Sequence, residues 1–370
     1  MTTEDRRKQI GAVESRAMSL TRIRVKNRAQ IDSIDDKLVS LLEERMSLVK
    51  EIGEAKKRSD TAIYCPAREK EILTRLCRHK GLLGKKAIEA IFLEIFAASR
   101  SLEHSERVAF LGPVGSFTHQ AAESRFGATG DYLCMQSIGA VFEAVESARA
   151  KYGVVPIYNN NSGLVGDTLR RLETSSLLIV GDMELPIHHC FAAKSEKLGA
   201  IKRIYSKDAA FEQCAAFLQG HSLENVERIP IESTAKAAKL ASEDPEAAAI
   251  CSHIAAQLLN LPIIFDNIQD SGENKTRFAI LSDFVSEPSG SDTTSIIAQT
   301  QDKPGALFTL LKEFNDAKIN LTQIESLPSK GDKRNSRFFI DFEGHRDDPK
   351  PSATLSKIKH YKWLGSYARS

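Results

Sequence analysis

Between Ile31 and Ile52 apolar residues recur at three- and four-residue steps (Ile31, Ile34, Leu38, Leu41, Leu42, Leu48, Val49, Ile52), with neither Gly nor Pro among them. That spacing keeps them on one side of a helix and predicts one long amphipathic α-helix. After a break at SDTAIYCP, a second helical pattern starts at Arg68 (Ile72, Leu73, Leu76). A third runs from Lys86 through Ile88, Ile91, Phe92, Ile95 and Phe96 to about Glu103. Three helices of unequal length close a poor core alone. A long stripe of this kind is buried against a partner chain, so a homodimer or higher homo-oligomer is expected.

At Arg107 the texture changes to short apolar runs followed by small residues and helical stretches: VAFLGPVGSF, YGVVPIYNN, LLIVGDMEL, RIYSK, AAICSHIAAQLL and TRFAILSDF. Strands alternating with helices predict an α/β domain with a largely parallel sheet. FVSEPSGSDT reads as a linker. Beyond it, TTSIIAQT, a helix starting near Gly305, NLTQIESLP, RFFIDFEGH and a final SATLSKIKHYKWLGSY give the strand and helix order of a ferredoxin-like unit. The expected divisions are a polar N-terminal extension (1–19), a helical domain (20–105), an α/β domain (107–283), a linker (284–292) and an α+β unit (293–370).

Composition narrows the field. At 42% hydrophobic and 27% charged the chain is globular, and a net charge of +2 gives no basic excess to attract nucleic acid or a membrane surface. Any anion site must rest on local cation clusters. The six cysteines show neither CxxC nor metal-ligand spacing, which points to reduced thiols and no metal. No run is long and apolar enough for a membrane span, and the start lacks a signal-peptide core, so a cytoplasmic location is expected. His188 and His189 are adjacent on a predicted strand and point to opposite faces, which favours a structural role for each.

Cations interrupt the apolar faces of the helical domain. Arg45 lies four residues after Leu41, Lys56 four after Ile52, and Arg28 three before Ile31; Arg68 and Glu69 precede Ile72 and Leu73 by four, while Ser99 and Glu103 continue the stripe of Ile95 and Phe96. Seven polar residues thus converge on one interior. Two glutamates are too few for four cations, and a small polyanionic ligand resolves the imbalance. Through IDSIDDKLVSLLEERMSLVKEIGEAKK, AREKEIL and IFLEIFAASRSLE the segment resembles the all-helical chorismate mutase family. The resemblance implies that Arg28 (from the partner chain), Arg45 and Arg68 hold the carboxylates of chorismate, Lys56 and Glu103 flank the breaking ether bond, and Glu69 and Ser99 meet the ring hydroxyl. A Claisen rearrangement needs a compact conformer and charge stabilisation at the ether oxygen, with no external proton transfer. Glu103, where many relatives carry Gln, donates to that oxygen only when protonated.

Residues 107–283 resemble prephenate dehydratase, through GPVGSFTHQAA, YGVVPIYNN, ESTAKAA and NKTRFAIL. The resemblance implies a two-lobed fold, similar to periplasmic binding proteins, with prephenate in the cleft. It also implies that Thr276 and Asn159 act in catalysis, with Ser116, Ser233, Thr234, Arg277 and Phe278 binding substrate. Departures are Tyr158 and Asn160, where relatives read Glu and Ser or Thr, and Lys207, Asp208 and Ala209, where they read His, Pro and Gln. These keep two alternatives open: a decarboxylase that leaves prephenate non-aromatic, or a non-catalytic binding module.

The last segment resembles ACT domains, through DKPGALFTLLKEF, KINLTQIESLPSK and FFIDFEGH. That implies L-phenylalanine as effector, bound by Gly305, Ala306, Leu307, Asn320, Glu325 and Ser326. Leu327 stands where relatives usually have Arg. The three segments, in this order, resemble the bifunctional chorismate mutase/prephenate dehydratase family, and the resemblance implies chemistry that needs no cofactor.

Overall fold

The computed structural model describes the backbone of residues 3–59, 66–78, 81–103, 107–327 and 335–369, and in the helical segments the side chains of 26–54, 68–78, 81–100 and 102. The chain separates into two units, residues 1–63 with 102–104, and residues 64–101 with 105–370.

The first unit is dominated by helix α1 (Thr3–Ser59). It starts well before the predicted onset near Ile31. Residues 3–30 hold one Gly and no Pro, so nothing halts propagation of a helix nucleated downstream. Ile31, Ile34, Leu38, Leu41, Leu48 and Ile52 are 53–60% exposed. The predicted apolar stripe is open to solvent in the single chain.

The second unit opens with α2 (Pro66–Leu76) and α3 (Lys85–Glu103). A first lobe follows, with β1 (Arg107–Leu111), α4 (Phe117–Phe126), β2 (Asp131–Met135), α5 (Ile138–Glu146), β3 (Tyr152–Asn159), β4 (Gly163–Leu164), α6 (Gly166–Thr174) and β5 (Leu178–Pro186). The second lobe contains β6 (Cys190–Ala193), β7 (Arg203–Ser206), α7 (Asp208–Gln213), α8 (Ala215–Gly220), β8 (Glu227–Pro230), α9 (Thr234–Glu243), β9 (Ala247–Cys251), α10 (His253–Leu258) and β10 (Ile263–Phe265). The chain then returns to the first lobe as β11 (Lys275–Ser282).

The first sheet has the order β2-β1-β3-β11-β5, and the second β10-β6-β9-β7-β8. Each is parallel on one side and antiparallel on the other. The expected largely parallel sheet is therefore mixed, because β11 re-enters from the other lobe and runs against both β3 and β5. The two crossings pair with each other: Ile187 N–H donates to Asn274 O at 2.8 Å and Ile268 N–H to His189 O at 3.0 Å. Strands such as β9, buried along its whole length, are covered on both faces, which explains their unbroken apolar runs.

The C-terminal unit comprises β12 (Asp292–Gln301), α11 (Ala306–Asp316), β13 (Leu321–Leu327), β14 (Asn335–Glu343), α12 (Pro349–Leu355) and β15 (Tyr361–Ala368), with sheet order β13-β14-β12-β15. Helix α11 covers one face through Leu310 and Phe314. The other face shares a core with the first lobe, where Ile297, Phe339, Leu364 and Tyr367 meet Leu172 and Ile179. At Gly365, with φ of 153°, an added Cβ would lie 2.1 Å from Ile179 O, so only glycine permits this approach. Lys362 Nζ donates to Glu173 O at 3.1 Å and Ser175 O at 2.6 Å on the same border.

Candidate active sites

Between the lobes a chain of polar side chains runs from β11 to the crossing segments. Asn159, at the end of β3, accepts through Oδ1 from the N–H groups of Asn161 (3.0 Å) and Ser162 (3.1 Å). Those backbone donors fix the amide's orientation, so Nδ2 faces β11. There it donates to Asn274 Oδ1 (2.8 Å) and Thr276 Oγ1 (2.9 Å). Asn274 in turn offers Nδ2 to Gln213 Oε1 at 3.4 Å, and His189 Nε2 lies 2.9 Å from the same oxygen.

The orientation fixed at Asn159 propagates along this chain. Thr276 Oγ1 is an acceptor from Asn159, so its own O–H must donate elsewhere; among the described residues no acceptor takes it. Thr276 is buried, at 9% exposure. At the far end Gln213 Oε1 is an acceptor, so His189 carries its proton on Nε2 and leaves Nδ1 bare and without a partner. Burial lowers the His189 pKa, with Gln213 opposing and His188 reinforcing the shift. Its ring meets Phe117 edge-on, with centroids 5.6 Å apart.

Phe117 begins α4, whose N-terminus meets those of the second lobe. An added Cβ at Gly115 would lie 3.1 Å from Ala255 and 3.5 Å from Ala235 Cβ, and the positive φ of 84° also calls for glycine. Ser116 caps α4 by accepting from His119 N–H (3.2 Å), and Ser233 caps α9 by accepting from Lys236 N–H (3.2 Å). Thr234, the first residue of α9, is half-buried. Serine side chains expected to touch substrate thus shape two helix N-termini, whose free N–H groups and dipoles favour carboxylates.

Arg277 and Phe278 sit elsewhere than the resemblance suggested. Phe278 is 1% exposed in the core with Phe110 and Tyr152. Arg277 follows Thr276 on a strand, so it projects to the opposite face, against the C-terminal sheet. Tyr158 pairs with Arg277 across β3 and β11 and packs on that same side. The missing acid at position 158 therefore does not remove a group from beside Thr276. Asn160 Nδ2 donates to Glu273 O at 3.0 Å, and Lys207 and Ala209 are exposed at the start of α7. Gln213 and Asn274 were not singled out from sequence. Asn274 stands beside the Thr-Arg-Phe motif, while Gln213 gave no local signal.

Of the residues the sequence suggests for the helical-domain site, Arg28, Arg45, Lys56 and Glu103 belong to the first unit, and Arg68, Glu69 and Ser99 to the second. On α1, Arg28 is exposed and Arg45 half-buried; the side chains of Lys56 and Glu103 lie outside the described residues. Arg68 is exposed and donates to Glu71 Oε2 at 2.6 Å. Ser99 is buried and donates to Ile95 O at 2.6 Å. Glu69, expected at the ring hydroxyl, instead forms a buried ion pair with Arg100, and Arg125 Nη1 of α4 lies 3.7 Å from its other oxygen. Arg100 also donates to Phe126 O at 3.1 Å, and Glu94 accepts from Ala128 N–H at 3.0 Å. These contacts fasten α2 and α3 to the α/β domain.

In the C-terminal unit Gly305 caps α11 in a left-handed conformation, with φ of 80°. Ala306 and Leu307 are half-buried in its first turn, and Asn320 is exposed before β13. Along β13 the odd-numbered residues are half-buried and the even-numbered exposed, which puts Glu325 and Ser326 on opposite faces. Glu325 borders an 860 Å³ cavity with Arg277 and Asp341, on the side away from α11. Among the described residues no group of three or more His, Cys, Asp or Glu side chains is placed to hold a metal ion.

Family models for chorismate mutase type II, prephenate dehydratase and the ACT domain match residues 27–104, 108–284 and 294–360 respectively. The chain is 40% identical, over 93% of its length and 97% of the relative's, to a bifunctional chorismate mutase/prephenate dehydratase of Aquifex aeolicus. A solved prephenate dehydratase from Arthrobacter aurescens, in complex with L-Phe, is 32% identical at a TM-score of 0.65, covering 71% of this chain and 90% of that one. A solved chain described as GqqA, a novel type of quorum-quenching acylase, is 26% identical at a TM-score of 0.66, covering 72% of this chain and 98% of that one.

Proposed function

Since the chain belongs to the family of bifunctional chorismate mutase/prephenate dehydratases, we propose that it rearranges chorismate to prephenate and converts prephenate to phenylpyruvate in phenylalanine synthesis. The observation that carries the second step is the fixed polarity of Asn159. It makes Thr276 Oγ1 an acceptor and leaves the threonine O–H to donate to the departing ring hydroxyl. The ring–carboxylate bond then gives its electron pair to the ring and carbon dioxide leaves; the ring C–O bond breaks with its pair on oxygen, which takes a proton through the Thr276 hydroxyl and departs as water, and solvent returns that proton to the threonine. The N-termini of α4 and α9 bind the substrate carboxylates. Incubating the purified protein with prephenate and following absorbance tests this reading. Phenylpyruvate supports it; a non-aromatic keto acid or no change overturns it.

For the mutase we keep Arg28 of the partner subunit, Arg45 and Arg68 as carboxylate ligands, with Lys56 and protonated Glu103 at the ether oxygen and Ser99 near the ring. Glu69 is reassigned to holding α2 and α3 on the α/β domain. A second copy of the chain covers the α1 stripe, since Ile31, Ile34, Leu38, Leu41, Leu48 and Ile52 on that one helix are each more than half exposed. The domain limits remain 20–105, 107–283 and 293–370.

L-phenylalanine is the proposed effector at the ACT unit, supported by the L-Phe complex of the Arthrobacter enzyme. Glu325 drops out of that site, because it faces the α/β domain. Equilibrium dialysis with phenylalanine checks this. A cytoplasmic location fits the described cysteines, all free thiols, among them Cys190 and Cys251 with sulfurs 3.7 Å apart; no described helix is long and apolar enough to cross a membrane.

A further inference from the structure

Arg277 directly follows the proposed catalytic threonine, yet four of its five N–H donors are taken by protein groups on the far side of the sheet. Nε donates to Asp182 Oδ2 of β5 at 2.7 Å. Nη1 donates to Gln323 Oε1 of β13 at 3.1 Å and to Asp341 Oδ2 of β14. Nη2 donates to Tyr367 Oη of β15 at 2.8 Å, and that hydroxyl lies 2.8 Å from Ser295 Oγ of β12. The guanidinium is thus linked to all four strands of the C-terminal sheet. The cluster is buried, with side-chain exposures of 12% for Arg277, 10% for Asp182 and 1% for Asp341.

A planar, always-charged group with forked donors holds such partners at fixed angles, which a lysine ammonium on a flexible stem does not. The next residue along the backbone is Thr276, whose Cα is about 3.8 Å from that of Arg277. A shift of the C-terminal sheet is therefore passed to Thr276 through one residue of backbone.

We propose that Arg277 is a positioning residue that ties the catalytic strand to the C-terminal sheet, holding Thr276 at the depth where its hydroxyl meets the substrate, and that it makes no contact with substrate. The proposal rests on the dehydratase reading above. Because the same chain carries a mutase, folding has an internal control.

The experiment compares wild type, Asp341→Asn, Tyr367→Phe, Arg277→Lys and Arg277→Gln, each as full-length chain, for mutase activity and for dehydratase kcat and KM. If the wild type makes no phenylpyruvate, the dehydratase reading fails and the strut falls with it. If the wild type is active, the variants decide the strut alone. Displacement of a catalytic group by about an ångström costs on the order of 100-fold, so Asp341→Asn should lower kcat about 10- to 100-fold with KM within about twofold and mutase activity unchanged. Tyr367→Phe, which removes one hydroxyl without adding bulk or charge, should shift kcat in the same direction by a few fold. Arg277→Lys should recover more kcat than Arg277→Gln. An overturning result is a raised KM at unchanged kcat in the Arg277 variants with Asp341→Asn silent, the signature of a substrate ligand. Full dehydratase activity in both Asp341→Asn and Tyr367→Phe also overturns the proposal, whatever the Arg277 variants do.

Discussion

The inter-lobe cleft and helix α1 are opposite kinds of site. In the cleft, Asn159, Asn274, Thr276, Gln213 and His189 come from four separate stretches of chain and bond to one another, so a single copy presents the whole arrangement. On α1, Ile31, Ile34, Leu38, Leu41, Leu48 and Ile52 stand exposed. A site closed within one chain can be read from its hydrogen bonds, whereas one completed by another copy shows first as uncovered apolar surface. The difference predicts that the two activities can be damaged independently.

Thr276→Ala gives the largest separation. Losing a positioned donor costs about 10²- to 10⁴-fold in rate, so phenylpyruvate formation should drop by that order while chorismate rearrangement is unaffected. A variant that slowed both reactions alike would mean that one site serves both. Asn159→Asp comes next. The carboxylate it introduces only accepts, so Thr276 would turn its O–H toward that carboxylate and away from the substrate. Dehydratase kcat should fall about 100-fold, as for a misoriented catalytic group, and a wild-type rate would dismiss the polarity argument.

The reverse separation follows from α1. Leu38→Glu with Leu41→Glu places charges where a second copy would pack, at a cost of several kcal/mol, and about 1.4 kcal/mol is tenfold in an equilibrium. Sedimentation should show dissociation, and mutase activity should fall more than about tenfold with the dehydratase retained. Unchanged sedimentation would remove the proposed dimer face.

How far each region was legible follows from the same contrast. The helices, the strand order of the C-terminal unit and the candidate Thr276 came from local period and motif, because those features lie within one stretch of chain. The face of Arg277 also follows from alternation along β11, but its partners do not, since Asp182, Gln323, Asp341 and Tyr367 come from strands far apart in sequence. Gln213 was invisible for a related reason: a glutamine ending a short helix carries no signal until the fold brings Asn274 and His189 to it. Glu69 looked like a ligand because its position on α2 put it on the apolar face. Burial there follows from the sequence, but its partner, Arg100 on α3, is picked out only by the fold, although it too lies four residues after Phe96 on the α3 stripe.

The smallest effect is one of pH, and it pulls the two regions in opposite directions. Protonated Glu103 is the active form in the proposed mutase, so that activity should hold at low pH and fall as pH rises through the Glu103 pKa; Glu103→Gln should flatten the profile. In the cleft the sign reverses. Burial lowers the pKa of His189 below its ordinary value of about 6.5. The unfolded chain therefore binds more protons than the native one just below that value, and stability rises with pH there. The contribution is complete above about pH 6.5 and is lost as pH falls toward the depressed native value. His119, also lowered by burial, adds to the slope, whereas Glu123, raised by burial and by Glu94, acts near the carboxylate range. Protonating His189 would put a charge on Nδ1, which has no partner, and disturb the Gln213 end of the chain that leads to Thr276. Melting curves between pH 7.5 and pH 5 should show the cleft domain losing a few degrees, about 2–4 °C per kcal/mol for a domain of this size. His189→Asn should reduce that loss, keeping a side-chain amide for Gln213 with no group to titrate. If the melting temperature of wild type is flat across the range, or if His189→Asn follows wild type throughout, the buried neutral histidine is not what sets the acid limit of the cleft.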